Sequence, residues 1–582
     1  MKTSVLLIVG LLAATPGMSQ SFAVTGLLPT PNAAAAPRAT NVRFTLSQPV
    51  ANTAASLGAV KVFSQQRGGL LSGTTVANGS TLTFDPAQDF TPGELVQATV
   101  TTAARSSGGT ALTTPQVFQF RAATYGGTGI FSGGSEVAID NSSTSYMVMA
   151  DIDNDGDVDL LASYLARSIV NVRLNNGAGV FTGTTEIAVP ARILGMVTGD
   201  IDGDGDLDLL TSHTGIHSAG SSSGSVSVWI NNGSGVFTAP ATNGIVSGGG
   251  YSSQRVTLAD VDGDGDLDML VLNYLLYDVM TAANASSIGV RLNNGAGVFS
   301  GGSDMQLPSG ANFMDVGDID NDGDLDFVTT TSYNSLNVGL NTGNGIFSIA
   351  TKNPQLGGVA ALTLGDLDND GDLDLLVSDS YDDKVKVRLN DGNGNFSSAP
   401  DILDAGGLES LVAADADSDG DLDILTTTNT LASGYKLGVW LNNGAARFSN
   451  GPTTTLAGHM RGLTTADVDG DGDLDCIAVV DNRLSTERVS IRLNNGTGTA
   501  LATTKARHAA ALQPAPNPAH DEARLTVPAG TLEVEVLSAL GQRLRTVAVP
   551  AGATEVRLPL AGLSAGVYLV QAGATVGRLV VE

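Results

Sequence analysis

Asp151-Ile152-Asp153-Asn154-Asp155-Gly156-Asp157-Val158-Asp159 is the first of seven copies of one nine-residue pattern, and the others begin at Asp200, Asp260, Asp318, Asp366, Asp415 and Asp467. Every copy has Asp at positions one, three, five, seven and nine and Gly at position six. The acids are Asp151, Asp153, Asp155, Asp157 and Asp159; Asp200, Asp202, Asp204, Asp206 and Asp208; and Asp260, Asp262, Asp264, Asp266 and Asp268. They continue as Asp318, Asp320, Asp322, Asp324 and Asp326, then Asp366, Asp368, Asp370, Asp372 and Asp374. The last two sets are Asp415, Asp417, Asp419, Asp421 and Asp423, and Asp467, Asp469, Asp471, Asp473 and Asp475. Two such charges roughly 6 Å apart in water repel by about 0.7 kcal/mol, and by more in a drier site. Repeating that arrangement seven times implies a cation at each loop.

Carboxylate oxygens on a flexible loop suit Ca²⁺, which takes six to eight oxygen ligands; Mg²⁺ keeps more of its water. The start of each copy resembles an EF-hand loop, with acids at positions one, three and five and Gly at six. The EF-hand then requires Glu at position twelve, where these copies have Ala162, Thr211, Val271, Thr329, Val377, Thr426 and Ala478. Each copy instead runs on into an apolar stretch of β type, such as Leu325-Asp326-Phe327-Val328. The loop therefore joins two strands, and Asp at position nine takes the closing role. Side chains at positions one, three, five and nine are expected ligands. Position seven is expected to offer its backbone carbonyl, with the carboxylates of Asp157 and its equivalents turned outward. Up to seven Ca²⁺ are expected.

The chain has 582 residues and a formal charge of −30, and most of its 59 acids lie in the loops. That sign argues against nucleic acid and against anionic membrane surfaces as partners. Gly is 72 of 582 residues, above the usual ~7%, as expected for β structure dense in tight turns. Lys2, the apolar run Val5 to Ala14, and Gly17-Met18-Ser19 read as a secretory signal over residues 1–19, too short to span a bilayer. No transmembrane segment is expected, and the reading is an exported protein. Cys476 is the single cysteine, so no internal disulfide forms; it occupies the slot of Leu160, Leu209, Met269, Phe327, Leu375 and Ile424 and reads as core.

Residues 20–122 lack the Asp loop and carry short alternating strands, Val42–Leu46, Ala59–Phe63, Thr81–Phe84, Val96–Val100 and Val117–Phe120, separated by turn signals such as Asn78-Gly79 and Pro92-Gly93. They predict a β-sandwich. Phe84-Asp85-Pro86, Phe90-Thr91-Pro92-Gly93 and Val117-Phe118-Gln119-Phe120 make the segment resemble bacterial Ig-like domains, which implies a spacer or adhesive unit.

The repeats occupy residues 123–500 at a mean spacing of about 53 residues. Each unit opens with Phe, at positions 131, 181, 237, 299, 347, 396 and 448, and has room for four strands, one blade of a propeller. An eighth Phe is missing after Asn494-Asn495-Gly496-Thr497-Gly498, and Gly126-Gly127-Thr128-Gly129-Ile130-Phe131 supplies the complementary half at the other end, as ring closure requires. The array resembles FG-GAP/VCBS repeats, which implies a seven-bladed, calcium-binding β-propeller. In an up-and-down meander the Asp loop and the Asn-Asn-Gly turn share one face. Extra residues at 213–225 and 273–287 fall on the other face and are expected to form a binding surface.

Residues 501–512 read as a linker. Within 513–582, Pro516-Asn517-Pro518-Ala519, Leu540-Gly541-Gln542, Leu563-Ser564-Ala565-Gly566-Val567-Tyr568-Leu569-Val570 and the final Arg578-Leu579-Val580-Val581-Glu582 resemble the C-terminal sorting domain of type IX secretion. The resemblance implies the type IX machinery as a partner and release to, or attachment at, the cell surface. The fold expected is all-β throughout, with the propeller flanked by the Ig-like sandwich and a small C-terminal β-sandwich.

Catalytic signals are sparse. Gly562-Leu563-Ser564-Ala565-Gly566 matches a nucleophile elbow but lacks the strand–elbow–helix context. His213 and His217 have the spacing of a helical zinc pair, yet Gly215 and the neighbouring Ser/Gly run argue for a loop. Arg173, Trp229, Arg291, Gly339, Arg388, Trp440 and Arg492 share one register position; the tryptophans read as outer-strand packing, with stacking on sugars as the alternative. No catalytic residue is assigned. The expected function is calcium-dependent adhesion or binding of an extracellular glycan or protein, with a lyase-like, polysaccharide-active enzyme as the alternative.

Overall fold

The computed structural model describes residues 21–494 apart from 140–143, 165–167, 215–224, 240–244, 247–251, 275–285, 309, 332–334, 353, 404–405, 431–433 and 482–487, and residues 522–581 apart from 527–532, 539–542, 551–554, 562, 564–565 and 573–574. The expected signal and linker, His217, most of the two long insertions and most of the elbow-like segment lie outside the described residues. The chain divides into two compact units at residues 497 and 498.

Alternating apolar residues set up the first β-sandwich. Val24–Leu28, Val42–Leu46, Thr81–Pro86 and Gly73–Asn78 form one sheet in that order, and Val60–Ser64, Leu95–Val100 and Gln116–Arg121 form the other. Phe22, Phe44, Phe90, Phe118 and Phe120 fill the space between them, and Phe44 meets Phe118 edge-on at 5.5 Å. The five strands expected from sequence are present. Val24–Leu28 and Gly73–Asn78 were not anticipated, because their burial does not alternate strongly enough to mark them.

The repeats fold as seven antiparallel sheets, here called blades. Their first strands are Thr144–Ala150, Ile193–Gly199, Ser252–Ala259, Ala311–Gly317, Val359–Gly365, Leu408–Ala414 and His459–Ala466. Each first strand packs on the next, and the seventh packs on the first, so the order is cyclic. Each Asp loop joins the first strand to the second, which begins at the position-nine Asp. The Phe-bearing segment does not open a blade, as the repeat reading had it. Phe347, for example, starts a strand that pairs back on the third strand at Asn341, because the tight turn between them returns the chain to its own sheet.

Closure uses both ends of the array. Phe131–Ser132 and Glu136–Ala138 pair with Arg488–Asn494, completing the seventh blade. Phe131 is buried there beside Leu425, Val439 and Cys476. Burial pushes the Cys476 thiol far above its ordinary range, in keeping with a core role.

The second and third strands face each other in matched sizes. Leu160 opposes Arg173, Leu209 opposes Trp229, and Cys476 opposes Arg492. Phe327 opposes Gly339, where an added methyl would strike its ring. Three of the arginines hold the outermost strand or its flank through an acid: Arg291 to Asp304 at 2.9 Å, Arg388 to Asp401 at 2.8 Å and Arg492 to Glu136 at 2.5 Å. Trp229 is buried and donates to Thr211 Oγ1 at 2.9 Å, a packing role.

Blades are also tied to one another by one recurring side chain. Asn175, Asn231, Asn293, Asn341, Asn390, Asn442 and Asn494 end the third strands or stand one or two residues beyond them. Each Nδ2 donates, at 2.7 to 2.8 Å, to the position-two carbonyl of the preceding blade's loop. The first link is Asn175 to Val468 O, so the series runs round the ring without a gap. Gly129 N adds a backbone bond to Ala416 O at 2.9 Å, as Gly179 N does to Val468 O.

In the C-terminal unit, Arg543–Ala548, Glu533–Ser538, Gly566–Ala572 and Thr575–Val581 form a sheet in that order, and Glu522–Thr526 pairs with Glu555–Pro559. Ala523, Leu525, Val536, Leu558, Val570 and Leu579 are buried between them. Both units are thus all-β, and no helix of the described residues is long and apolar enough to cross a membrane.

Asn341→Ala removes the donor to Val261 O and Leu325 O and leaves buried carbonyls without it. Urea unfolding should show a loss of about 2–4 kcal/mol. Asn344→Ala, at an exposed turn residue, should change stability by less than about 0.5 kcal/mol.

Candidate metal centres

The loop backbone is set by two left-handed positions. Position four has positive φ in every copy: Asn154 58°, Gly203 77°, Gly263 71°, Asn321 58°, Asn369 60°, Ser418 61° and Gly470 74°. Position six is Gly with φ between 91° and 105° in all seven, a conformation that a residue with a Cβ rarely adopts. These two turns coil the nine residues so that alternate carboxylates converge.

The five acids do different things. Position nine is buried and anchors the blade. Its Oδ2 accepts from the position-two N–H at 2.9 to 3.1 Å. Its Oδ1 accepts from the N–H of the inter-blade Asn at 2.7 to 2.9 Å. Position one accepts N–H groups across the turn, as Asp151 does from Asp155 and Gly156 at 3.1 and 3.0 Å. Position five accepts from the N–H of position seven, as Asp155 does from Asp157 at 3.0 Å.

Position seven stands apart from the rest. The carboxylates of Asp157, Asp206, Asp266, Asp324, Asp372 and Asp421 lie against the turn glycines Gly177, Gly233, Gly295, Gly343, Gly392 and Gly444 of their own blades, where a methyl would collide with them. Asp206, Asp372 and Asp421 also accept from Asn154, Asn321 and Asn369 of the preceding loop at 2.6, 2.5 and 2.7 Å. These six carboxylates are half-buried against the turns of their own blades. For Asp473 the equivalent turn lies outside the described residues, and burial with repulsion from Asp471 pushes its carboxyl up to about 8.

Position three has the least internal use. Oδ1 of Asp153, Asp202, Asp320, Asp368 and Asp417 is buried and has no hydrogen-bond partner. Ligand oxygens of Asp151, Asp153 and Asp159 lie within 4.8 Å of one another, as do those of Asp260, Asp262 and Asp268; Asp318, Asp320 and Asp326; and Asp366, Asp368 and Asp374. In the second loop the grouping is Asp200, Asp202 and Asp204, so Asp208 is replaced there by position five. A buried, unpartnered anionic oxygen aimed into a cluster of carboxylates is costly by itself. A cation in the cluster would supply the missing partner. These clusters can hold metal ions, and an all-carboxylate donor set is compatible with calcium.

With no cation in place, burial raises the carboxyls toward the protonated form. Position nine rises to about 8 in Asp159, 7 in Asp208, and 9 in Asp268 and Asp475. Position one rises to about 6 in Asp151 and 7 in Asp260 and Asp318. His213 is not a metal ligand here. Burial lowers it to about 4, and its ring nitrogens are engaged by Thr211, Ser227 and the Ala191 carbonyl.

The inter-blade asparagines were the residues that sequence reading passed over. Their signal was present, since Asn recurs at one register position before each turn. It read as turn chemistry alone.

The raised carboxyls predict the direction of a pH effect. In chelator the folded chain binds more protons than the unfolded chain from about pH 4 upward, so stability falls as pH rises through the folded values of about 6 to 9. Melting temperature measured from pH 5 to 8 in EDTA should fall steadily. Millimolar calcium, competing with protons for the same oxygens, should flatten or reverse the slope; a rising slope in EDTA would contradict the burial of these acids.

A family model for FG-GAP-like repeats matches residues 151–211, 216–271, 318–377 and 366–426. One for a bacterial Ig-like domain matches 19–122, and one for a secretion system C-terminal sorting domain matches 515–581. No curated protein matches the chain. Among solved structures, BBS1N in complex with ARL6DN is similar at 10% identity and a TM-score of 0.42, covering 63% of this chain and 98% of that one. A functionally unknown protein from Desulfotomaculum acetoxidans DSM 771 is similar at 9% identity and a TM-score of 0.35, covering 72% and 98%. The sorting domain addresses the chain to the type IX secretion machinery, for export to the outer surface or the medium. The chain thus carries FG-GAP-like repeats, with a bacterial Ig-like domain before them and a type IX C-terminal sorting domain after them.

Proposed function

We propose that the repeats form a seven-bladed propeller whose loops bind up to seven Ca²⁺, and that this calcium-loaded ring is a non-catalytic scaffold for adhesion outside the cell. The observation that carries the metal reading is the buried, unpartnered position-three oxygen found in five loops. Positions one, three and five supply side-chain oxygens, position nine closes the site, and position seven supplies its carbonyl. The domain limits that go with this reading are 20–122 for the Ig-like module, 123–500 for the propeller and 513–582 for the sorting domain.

An extracellular glycan or protein is the proposed ligand. The export signal supports the location, and the ring provides a large rigid surface on which ligand contacts can be displayed. One aromatic is placed for such a role: Trp440 is half-buried and borders a groove with Leu403, Lys436 and Asn450. No set of acid, base and nucleophile among the described residues favours the lyase-like alternative.

Two substitutions separate metal binding from folding. Asp320→Asn removes the charge from a carboxylate whose buried Oδ1 has no hydrogen-bond partner, so it should be neutral or stabilising in EDTA and should lower the melting temperature in calcium. Asp326→Ala also loses bonds from Ile319 N and Asn341 N, so it should cost about 2–4 kcal/mol even in EDTA, and more in calcium, where it also loses the closing ligand. Equal effects of Asp320→Asn with and without calcium would refute the metal reading. A calorimetric titration after chelation should approach seven ions per chain, with individual affinities of about 10⁻⁴–10⁻³ M.

The ligand reading is tested on a glycan array in calcium and in EGTA, beside a lyase assay on acidic polysaccharides. Calcium-dependent retention without cleavage is expected. Cleavage by the purified protein would reverse the assignment.

A further inference from the structure

The face that carries the seven Asp loops is already covered, by the chain's own N-terminal module and the Thr124–Tyr125 segment that follows it. Three position-one carboxylates take donors from these residues: Asp200 from Leu70 N at 3.2 Å, Asp260 from Thr99 Oγ1 at 2.7 Å and Asp415 from Thr124 Oγ1 at 2.8 Å. Three position-six carbonyls do the same. Gly323 O accepts from Val117 N at 2.8 Å, Gly371 O from Asn32 Nδ2 at 2.9 Å and Gly472 O from Tyr125 N at 2.9 Å. The remaining loop is joined by Asp151 N donating to Gln66 O at 2.7 Å. Every loop thus has a direct bond to residues 32–125: five to the Ig-like module within 20–122, and two, at Asp415 and Gly472, to the Thr124–Tyr125 segment that leads from it into the first blade.

Packing is as close as the bonding. A methyl at Gly263 would strike Pro115, and one at Gly265 would strike Lys61. Phe63 and Val117 of the module join apolar clusters of the blades, the first with Leu258 and Leu267 and the second with Val261 and Leu325. Charge is complementary too, since Lys61 and Arg38 stand near enough to Asp266 and Asp467 to ease their ionisation.

We propose that the Asp-loop face is the docking surface for the Ig-like module and that calcium in the loops is the latch that holds the module there. The proposal rests on the calcium reading above. Its physical basis is that all seven contacts are made to loop atoms, whose positions depend on five carboxylates converging in nine residues. Without a cation those carboxylates repel, the loops spread, and a seat made of seven weak contacts is lost together because each one raises the effective concentration of the others. Docking and calcium binding are then reciprocal: whatever loosens the seat weakens the cation to the same degree. While the module is seated, external ligands have only the rim, the opposite face and the module's outer sheet.

Hydrogen exchange on the full-length chain, in calcium and in EDTA, tests the latch. Peptides carrying the amides of Leu70, Val117 and Tyr125 should exchange about tenfold faster in EDTA, while Val42–Leu46 and Thr81–Pro86 inside the module keep their protection. Unchanged exchange at the three amides overturns the proposal, and so does loss of protection throughout the module, since the cation would then hold the fold and not the seat. A parallel calorimetric titration separates the readings: calcium heat with unchanged exchange sinks the latch alone, and no calcium heat sinks both. Reciprocity gives a second check. Thr99→Val with Thr124→Val should weaken calcium at two sites by about tenfold, whereas Val76→Ala on an exposed strand of the module should leave every site as it was; equal affinities in the two variants would also overturn the latch.

Discussion

A buried carboxylate at the ninth position of each loop is the constraint on which the ring depends. One of its oxygens holds the loop's own second residue, and the other holds the backbone of the Asn at the end of the third strand. That Asn then reaches the preceding blade through its side chain. Loop, turn and neighbouring blade are therefore fixed by one pair of residues repeated seven times. No blade has its full set of bonds until its neighbours are in place, and the first has it only once the seventh is built.

This arrangement explains how one face can carry so dense a set of acids. The five aspartates of a loop share their charge out among separate tasks. Position nine binds backbone inside the sheet, position one closes the turn, position five receives position seven's N–H, and position seven leans on the turn of its own blade. In five loops position three is left with a buried Oδ1 that receives no hydrogen bond. Burial drives the carboxyls toward neutrality unless a cation takes the place of the proton. The same geometry that stabilises the ring thus gathers carboxylates into clusters that can hold a metal ion. It also makes the loop face a stiff, patterned surface on which another domain can rest.

Much of the architecture was legible in the order of residues. The Asp and Gly spacing fixes the signs of φ at positions four and six, and those are local matters. Strand alternation in Val42–Leu46 or Asp326–Thr331 is local as well. Even closure left a trace, because the half-unit at Gly126–Phe131 complements the one missing after Asn494. The blade boundaries were misplaced at the Phe residues, since pairing of the fourth strand is decided by its turn and not by where a repeat seems to start.

By itself, then, the sequence determined the loop, the number of blades, the flanking β modules and the direction of export, all of which rest on short-range patterns. The tertiary structure alone decided which aspartate oxygens are used by the fold and which stay buried without a partner. It also showed that the asparagines before each turn join adjacent blades and that the Ig-like module covers the loop face. Those outcomes depend on atoms far apart in the chain, such as Asn175 and Val468 or Thr124 and Asp415. Local spacing carries no record of such partners, because they meet only when the ring has closed.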